Sequence, residues 1–207
     1  MSLFTRQVEP AYVPPRVAVI QPDTSRTSGG TFGQAAHWAT VNAFDILQSA
    51  HVSQMMTLNE NVLDDDPNVP IDPNIKAIFY PVPYNPSDTV YNKLKAWVEN
   101  GGVLYISGDI SYDADNQRTK GQRLVELAGA ASAAQSVYYH GLNWHKAPYA
   151  PKYYEYNPGA PDSGRSTMTS YTVKPNVNAT FNANVTVLYK DQNDRPVVVQ
   201  NNVGLGK

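Results

Sequence analysis

Cysteine is missing from all 207 residues. Its absence excludes disulfide cross-links, thiolate metal centres and cysteine nucleophiles. Charge is sparse: Asp, Glu, Lys and Arg make up 16% of the chain, and the formal net charge is −2. A chain with no basic excess has nothing to track a phosphate backbone, so nucleic acid is not an expected partner. No apolar run approaches the roughly 20 residues of a membrane span. The opening MSLFTRQVEPAYVPPR lacks the apolar core of a secretory leader. No membrane partner is expected, and the compartment is left open. What remains is 42% apolar residues, enough for one sizeable core, with 14 Tyr and 16 Pro. Such a surface suits stable packing or neutral ligands such as sugars better than phosphate.

Along the chain, residues 1–15 are Pro-rich and aperiodic, and read as an arm or linker. The apolar run RVAVI, Arg16–Ile20, predicts a first strand. The polar loop QPDTSRTSGGT follows, and then a helix is expected from about Phe32 to Ala50. Phe32, Ala35, Ala36, Ala39, Ala43, Ile46, Leu47 and Ala50 recur there at helical spacing. A second strand is expected near Val52–Leu58, then the acidic loop NENVLDDDPNVPIDPN. KAIFYP, Lys76–Pro81, has the near-continuous apolar run of a strand covered on both faces. The next helix starts after Asn85-Pro86-Ser87, with Asp88 at its positive end and Val90, Leu94, Trp97 and Val98 as its buried stripe. Gly101 suits a left-handed C-terminal cap. Val103–Ser107 is a fourth strand, and a short helix is expected over about Thr119–Ala128, ending at Gly129.

Strand–helix–strand alternation with short connections implies right-handed crossovers and a parallel sheet. The expected class is therefore α/β, an open, doubly wound, mostly parallel sheet in one domain over residues 16–207. A Tyr/Pro-rich insertion at about 133–165 interrupts it. Thr186–Lys190 and Val197–Gln200 flank the polar turn DQNDRP and predict a closing hairpin with a six-residue connection. The final Gly204-Leu205-Gly206-Lys207 is a turn of the kind that leads into another strand, so the fold is expected to close beyond it.

Three stretches carry a resemblance: IKAIFYPVPY at 75–84, LKAWVENGGVLYISGD at 94–109 and RPVVVQNNVGLGK at 195–207. Together they resemble the class I glutamine-amidotransferase-like, flavodoxin-like fold. More narrowly, they are similar to its non-catalytic form in large glycoside hydrolases, such as the trimerisation domain of certain β-galactosidases. The resemblance implies a nucleophilic Cys in a tight turn after the strand matching Val103–Ser107, with a late His-x-Glu pair, in the catalytic members. This chain has Ser107-Gly108-Asp109 at that turn and no His after residue 145.

Four groups of residues invite chemical readings. Ser107 ends a strand in a Gly-containing turn, but Tyr105-Ile106-Ser107-Gly108-Asp109 lacks both glycines of the Gly-x-Ser-x-Gly elbow. A nucleophilic Ser needs a base, and the histidines are His37, His51, His140 and His145. An enzyme reading would pair Ser107 with His145 and enlist Asp109; the plain alternative is a strand-terminating turn. Ser28-Gly29-Gly30-Thr31-Phe32-Gly33 sits where mononucleotide folds bind anions, but matches neither a Rossmann nor a Walker loop. The plain reading, a flexible loop with an N-cap, is the one preferred.

Asp23 and Asp109 both follow strand ends and could share the ligand crevice with a hard cation, while Asp64-Asp65-Asp66 reads as a solvated turn. No metal and no cofactor are expected. Finally, Tyr139, Trp144 and Tyr149 belong to an aromatic segment suited to stacking on sugars or packing on a neighbouring domain. Trp38, Val41 and Phe44 lie off the core stripe of the first long helix and suggest a contact site. Tyr84 joins Trp38, Phe44, Tyr139, Trp144 and Tyr149 as a candidate for ligand binding or an interface.

The sequence thus reads as a non-catalytic structural or oligomerisation module of a larger carbohydrate-processing enzyme. Its expected partners are other domains of the same polypeptide or further copies, with carbohydrate as a possible ligand. A carbohydrate-binding module using the Tyr/Trp segment is one alternative, and a hydrolase or transferase using Ser107 is the other.

Overall fold

A computed structural model describes residues 14–27, 30–107, 109–133, 180–190 and 196–207, with the side chains of 30–35, 38, 189–190 and 196–197 left out. Four strands form one parallel sheet: β1 (Val17–Gln21), β2 (Met55–Asn59), β3 (Ala77–Pro81) and β4 (Val103–Ser107), in the order β2-β1-β3-β4. Val19 lies between Thr57 and Phe79, and Phe79 is in turn opposite Tyr105. Helices flank this sheet, and a small antiparallel hairpin follows it. This is the expected α/β class.

The side-chain alternation of the strands divides the core. Ala18, Ile20, Ile78 and Tyr80 are buried on one face, and Leu104 packs with them. Against this face lies α4 (Asp88–Glu99), through Val90, Leu94 and Trp97. The segment before β3 adds Leu63, Ile71 and Ile75. Each such side chain contributes about 1.5–3 kcal/mol when fully buried. On the opposite face α2 (Gly30–Ser49) covers β1 and β3, burying Ala36, Ala39 and Leu47. Of the expected stripe, Ala43 and Ile46 are half-buried, the side chains of Phe32 and Ala35 lie outside the description, and Ala50 is exposed because it already belongs to the turn leaving the helix.

Both long helices end in the same device. His51 has φ 59° and donates its N–H to Gln48 O, while Val52 N–H reaches back to Leu47 O. Gly101 has φ 105°, with Gly101 N–H on Val98 O and Gly102 N–H on Trp97 O. These are paired bonds around a left-handed residue, as expected for Gly101. At His51 the device consumes residues that the sequence assigns to a strand, so β2 starts at Met55 rather than Val52.

Two short helices replace expected loops: α1 (Asp23–Thr27) and α3 (Glu60–Asp64). After β4 a single π-helical turn, Leu124–Ala128, stands where a longer helix is expected, and Gly129 caps it with φ 70°. The hairpin pairs β5 (Thr186–Lys190) with β6 (Pro196–Gln200). Its connection is one residue shorter than expected, because Pro196 pairs with Lys190 as the first residue of β6. Asn201 Nδ2 donates to Glu126 O and Leu127 O, which ties the hairpin's end to the π turn. Among the described residues, no helix is long and apolar enough to cross a membrane.

Candidate functional site

In an open parallel sheet, ligands bind outside the carboxyl ends of the strands, where the strand order reverses. Here β1 has β2 on one side and β3 on the other, so the reversal falls between β1 and β3. The segments leaving all four strands converge there and bring a group of buried polar side chains with them.

On the β1/β2 side the centre is Glu60, only 2% exposed. Its Oε2 accepts from Thr24 N–H at 2.7 Å and Thr24 Oγ1 at 2.8 Å, and Tyr80 O–H donates to its Oε1. Burial raises the Glu60 carboxyl above its ordinary range, and these three donors pull it partly back. Burial, reinforced by Glu60, holds the Tyr80 hydroxyl well above the usual tyrosine range, so it remains a donor. Asp23 lies alongside: its Oδ1 accepts from Gln21 Nε2 at 3.0 Å and lies 3.5 Å from the Arg26 guanidinium. Asp23 Oδ2 is buried without a hydrogen bond.

Between β1 and β3 runs a chain of neutral groups. Ser25 Oγ donates to Asn85 Oδ1 at 3.1 Å and accepts from Tyr84 N–H at 2.9 Å. Asn85 Nδ2 passes on to Asn116 Oδ1 at 3.1 Å. The exit of β3 is strained, for Val82 has φ 53°, a left-handed conformation that costs a β-branched residue about 1–3 kcal/mol. It is held by near-complete burial and by Ser107, whose carbonyl and Oγ both accept from Val82 N–H, at 2.8 and 3.2 Å.

On the β4 side Asp109 is 2% exposed. Its Oδ1 accepts from Ser111 N–H at 2.9 Å and from Ser111 Oγ, and its Oδ2 lies 3.5 Å from Arg118 Nε. The buried Arg123 donates to Pro86 O at 2.9 Å, Ile110 O at 3.4 Å and Asp88 Oδ1 at 2.6 Å, and sits over the Tyr91 ring. Lys120 takes the other oxygen of Asp88 at 2.8 Å. Hydrogen bonds from Lys120 and Arg123 hold the Asp88 carboxyl below its ordinary range.

The structure thus places Ser107, Asp109, Asp23 and Tyr84 at or just after the carboxyl ends of strands of the one sheet. Ser107 Oγ is half-buried and engaged with the backbone of Val82. His145, the base of the enzyme reading, lies outside the described residues, as do Tyr139, Trp144 and Tyr149. Tyr84 is 7% exposed and packs with Ala39, Val82 and Tyr112, its ring edge-on to Tyr112. Phe44 and Val41 are half-buried on α2, and the side chain of Trp38 lies outside the description. Of the Gly-rich segment, Gly30 to Gly33 already belong to α2. Asp64 ends α3 and accepts from Ser87 Oγ at 2.5 Å, while Asp65 and Asp66 are exposed. Among the described residues, no cluster of His, Cys, Asp or Glu is disposed to hold a metal.

Glu60, Tyr80, Ser25, Asn85 and Arg123 were not legible as site residues. Glu60 had a faint signal, an acid directly after an apolar strand in this fold. Arg123 had none, because Pro86 and Ile110 offer it only carbonyl oxygens and its third partner, Asp88, reads as an ordinary helix-end acid.

No family model and no curated protein matches the chain. Among solved structures it is similar to Gan42B, a GH42 β-galactosidase, with a TM-score of 0.43 and 17% identity over 57% of this chain. A catalytic mutant of Gan42B from G. stearothermophilus gives 0.43 and 18% over the same share. The chain covers 17% of the length of each of these enzymes.

Proposed function

We propose that this chain is a non-catalytic α/β module of a larger carbohydrate-processing enzyme of the glycoside hydrolase kind. In this reading it supplies surface for neighbouring domains or further copies, and the catalytic carboxylates reside elsewhere. One observation carries the proposal: most polar groups at the strand ends are bonded to one another, although one oxygen each of Asp23 and Asp109 is buried without a hydrogen bond. Glu60 is held by Thr24 and Tyr80, Ser25 by Asn85 and Tyr84, and Asp109 by Ser111. A catalytic crevice instead aims its donors and its base at a space that a substrate can enter. Ser107 fits the same pattern, since its Oγ supports the strained exit of β3. The carbohydrate assignment rests on the resemblance of residues 75–84, 94–109 and 195–207 and on the sparsely charged composition.

The test is turnover of chromogenic aryl glycosides and aryl esters by the purified chain, alongside its Ser107→Ala variant. No turnover by either is the expected result, with the native polypeptide in its source cells running far above 22.8 kDa. Turnover that disappears in Ser107→Ala overturns the reading.

A further inference from the structure

The last residues of the chain are tied to the sheet by a built anchor. Leu205 N–H donates to Glu99 O at 2.9 Å, at the carboxyl end of α4. Gly204 has φ 61°, and a Cβ there would stand 2.5 Å from Glu99 O. A Cβ on Gly206 would stand 2.2 Å from Val98 O and 2.3 Å from Gly102 O. Both glycines are therefore needed for the tail to cross the end of α4. The crossing delivers Lys207 to the outer side of β4. Its N–H donates to Gly102 O at 3.1 Å, and its carbonyl accepts from Leu104 N–H at 2.8 Å. This is the bonding of one residue in a parallel ladder, opposite Val103.

Alternate residues of a parallel strand bond to opposite neighbours. Val103 N–H turns inward to Lys76 O, so Leu104 and Ile106 turn outward. Past Lys207, Leu104 O and Ile106 N–H accept and donate no hydrogen bond among the described residues. Among the described residues, the next place in the ladder, opposite Tyr105, is open.

Beside this edge lies an open apolar surface. On the α2 face, Val103 is 39% and Tyr105 45% exposed. Phe79 is half-buried, with its ring 5.4 Å from that of Tyr105. α2 covers β1 and β3 on this face but stops short of β4. A parallel sheet is normally covered on both faces. The π turn after β4 packs Leu124 with Ile106 and Tyr91 on the α4 face. A right-handed crossover from β4 to a strand at Lys207 therefore uses that face and leaves the α2 face free.

We propose that the outer edge of β4 receives a fifth parallel strand running on from Lys207, and that Phe79, Val103 and Tyr105 seat the apolar stripe of the helix following that strand. The occupant is polypeptide joined to Lys207, because the anchor already fixes its direction and register. Its strand alternates apolar residues, and its helix is amphipathic.

The test compares the 207-residue chain with the same chain extended at Lys207. The extension is a strand of about six alternating Val and Thr residues, a Gly-Asn turn, and a Leu/Glu/Lys helix of about 14 residues. Amide exchange of Ile106 is the readout, and extension is expected to slow it by about 100-fold. Leu104, bonded to Lys207 in both chains, keeps its rate. Val103→Lys with Tyr105→Lys in the extended chain should abolish protection of the added helix and spare that of Ile106. Equal Ile106 exchange in the two chains overturns the proposal. Protection of Ile106 in the unextended chain also overturns it, since another segment would then hold the edge. Helix protection that survives the double substitution overturns the assigned seat.

Discussion

Arg123 shows how a single side chain can hold a loop whose backbone has few other partners. Its guanidinium satisfies Pro86 O and Ile110 O, which lie on the segments leaving β3 and β4. Asp88, its anionic partner, is largely solvent-exposed, so the ion pair itself contributes little. The cost of losing Arg123 comes from two carbonyls left without donors, at about 1–3 kcal/mol each where water cannot reach them. Arg123→Met, which keeps the apolar stem over Tyr91, is expected to lower stability by about 3 kcal/mol. Urea denaturation measures it, and a loss under about 1 kcal/mol would show that water replaces the guanidinium.

Glu60 yields a pH signature at the same scale. Its native carboxyl is raised, chiefly by burial, above the ordinary 4.5. The folded state therefore holds this proton more tightly than the unfolded state does. The stabilisation is fully present below pH 4.5 and is lost as pH rises through the native value. Glu60→Gln cannot titrate and lacks that decline. The stability of the wild type minus that of Glu60→Gln is thus expected to fall as pH rises from 4.5 through the raised native value. Urea midpoints for both proteins across that range give the difference. A difference that stays flat or rises would mean that Tyr80 and Thr24 outweigh burial at this carboxylate.

At the scale of elements, α4 was the most legible. Its stripe of Val90, Leu94, Trp97 and Val98 is the one that packs, and Asp88 and Gly101 mark its two ends as expected. The Ser87 side chain accepts from Val90 N–H at 3.1 Å and donates to Asp64. Ser87→Ala removes the cap and the link to α3 together. A loss of about 1 kcal/mol in thermal or urea unfolding is expected, the usual worth of an N-cap. No measurable loss would mean that water caps the helix equally well.

α1 was illegible for the opposite reason. Asp23-Thr24-Ser25-Arg26-Thr27 has poor helix propensity and no apolar stripe. It is helical because Glu60, 36 residues away, accepts from Thr24, and because Ser25 bonds to Asn85. Such tertiary bonds leave no local mark. The candidate site was legible to the same degree: its place at the strand ends follows from the α/β pattern, but its partners do not. Ser107 and Asp109 stood out because a turn follows a strand, whereas Glu60 and Tyr80 looked like an ordinary loop acid and an ordinary core aromatic.

For the whole molecule, the two faces of the sheet make opposite claims about stability. The α4 face buries Ile20, Ile78 and Tyr80 almost completely, and Ile78→Ala should cost about 2–5 kcal/mol there. The α2 face at β4 leaves Val103 39% and Tyr105 45% exposed, so truncating them there loses less buried apolar area than truncation at Ile78 does. Val103→Thr with Tyr105→Thr keeps a good strand former at each position. In the 207-residue chain the pair is expected to cost less than about 2 kcal/mol in total. It should also shorten retention on a hydrophobic interaction column, because the surface it removes is the part of β4 facing solvent. A loss above about 2 kcal/mol, as for a buried pair, would mean that this face is already covered within the chain. The seat assigned to a further helix would then be taken, and the open edge beside it would have to be explained without one.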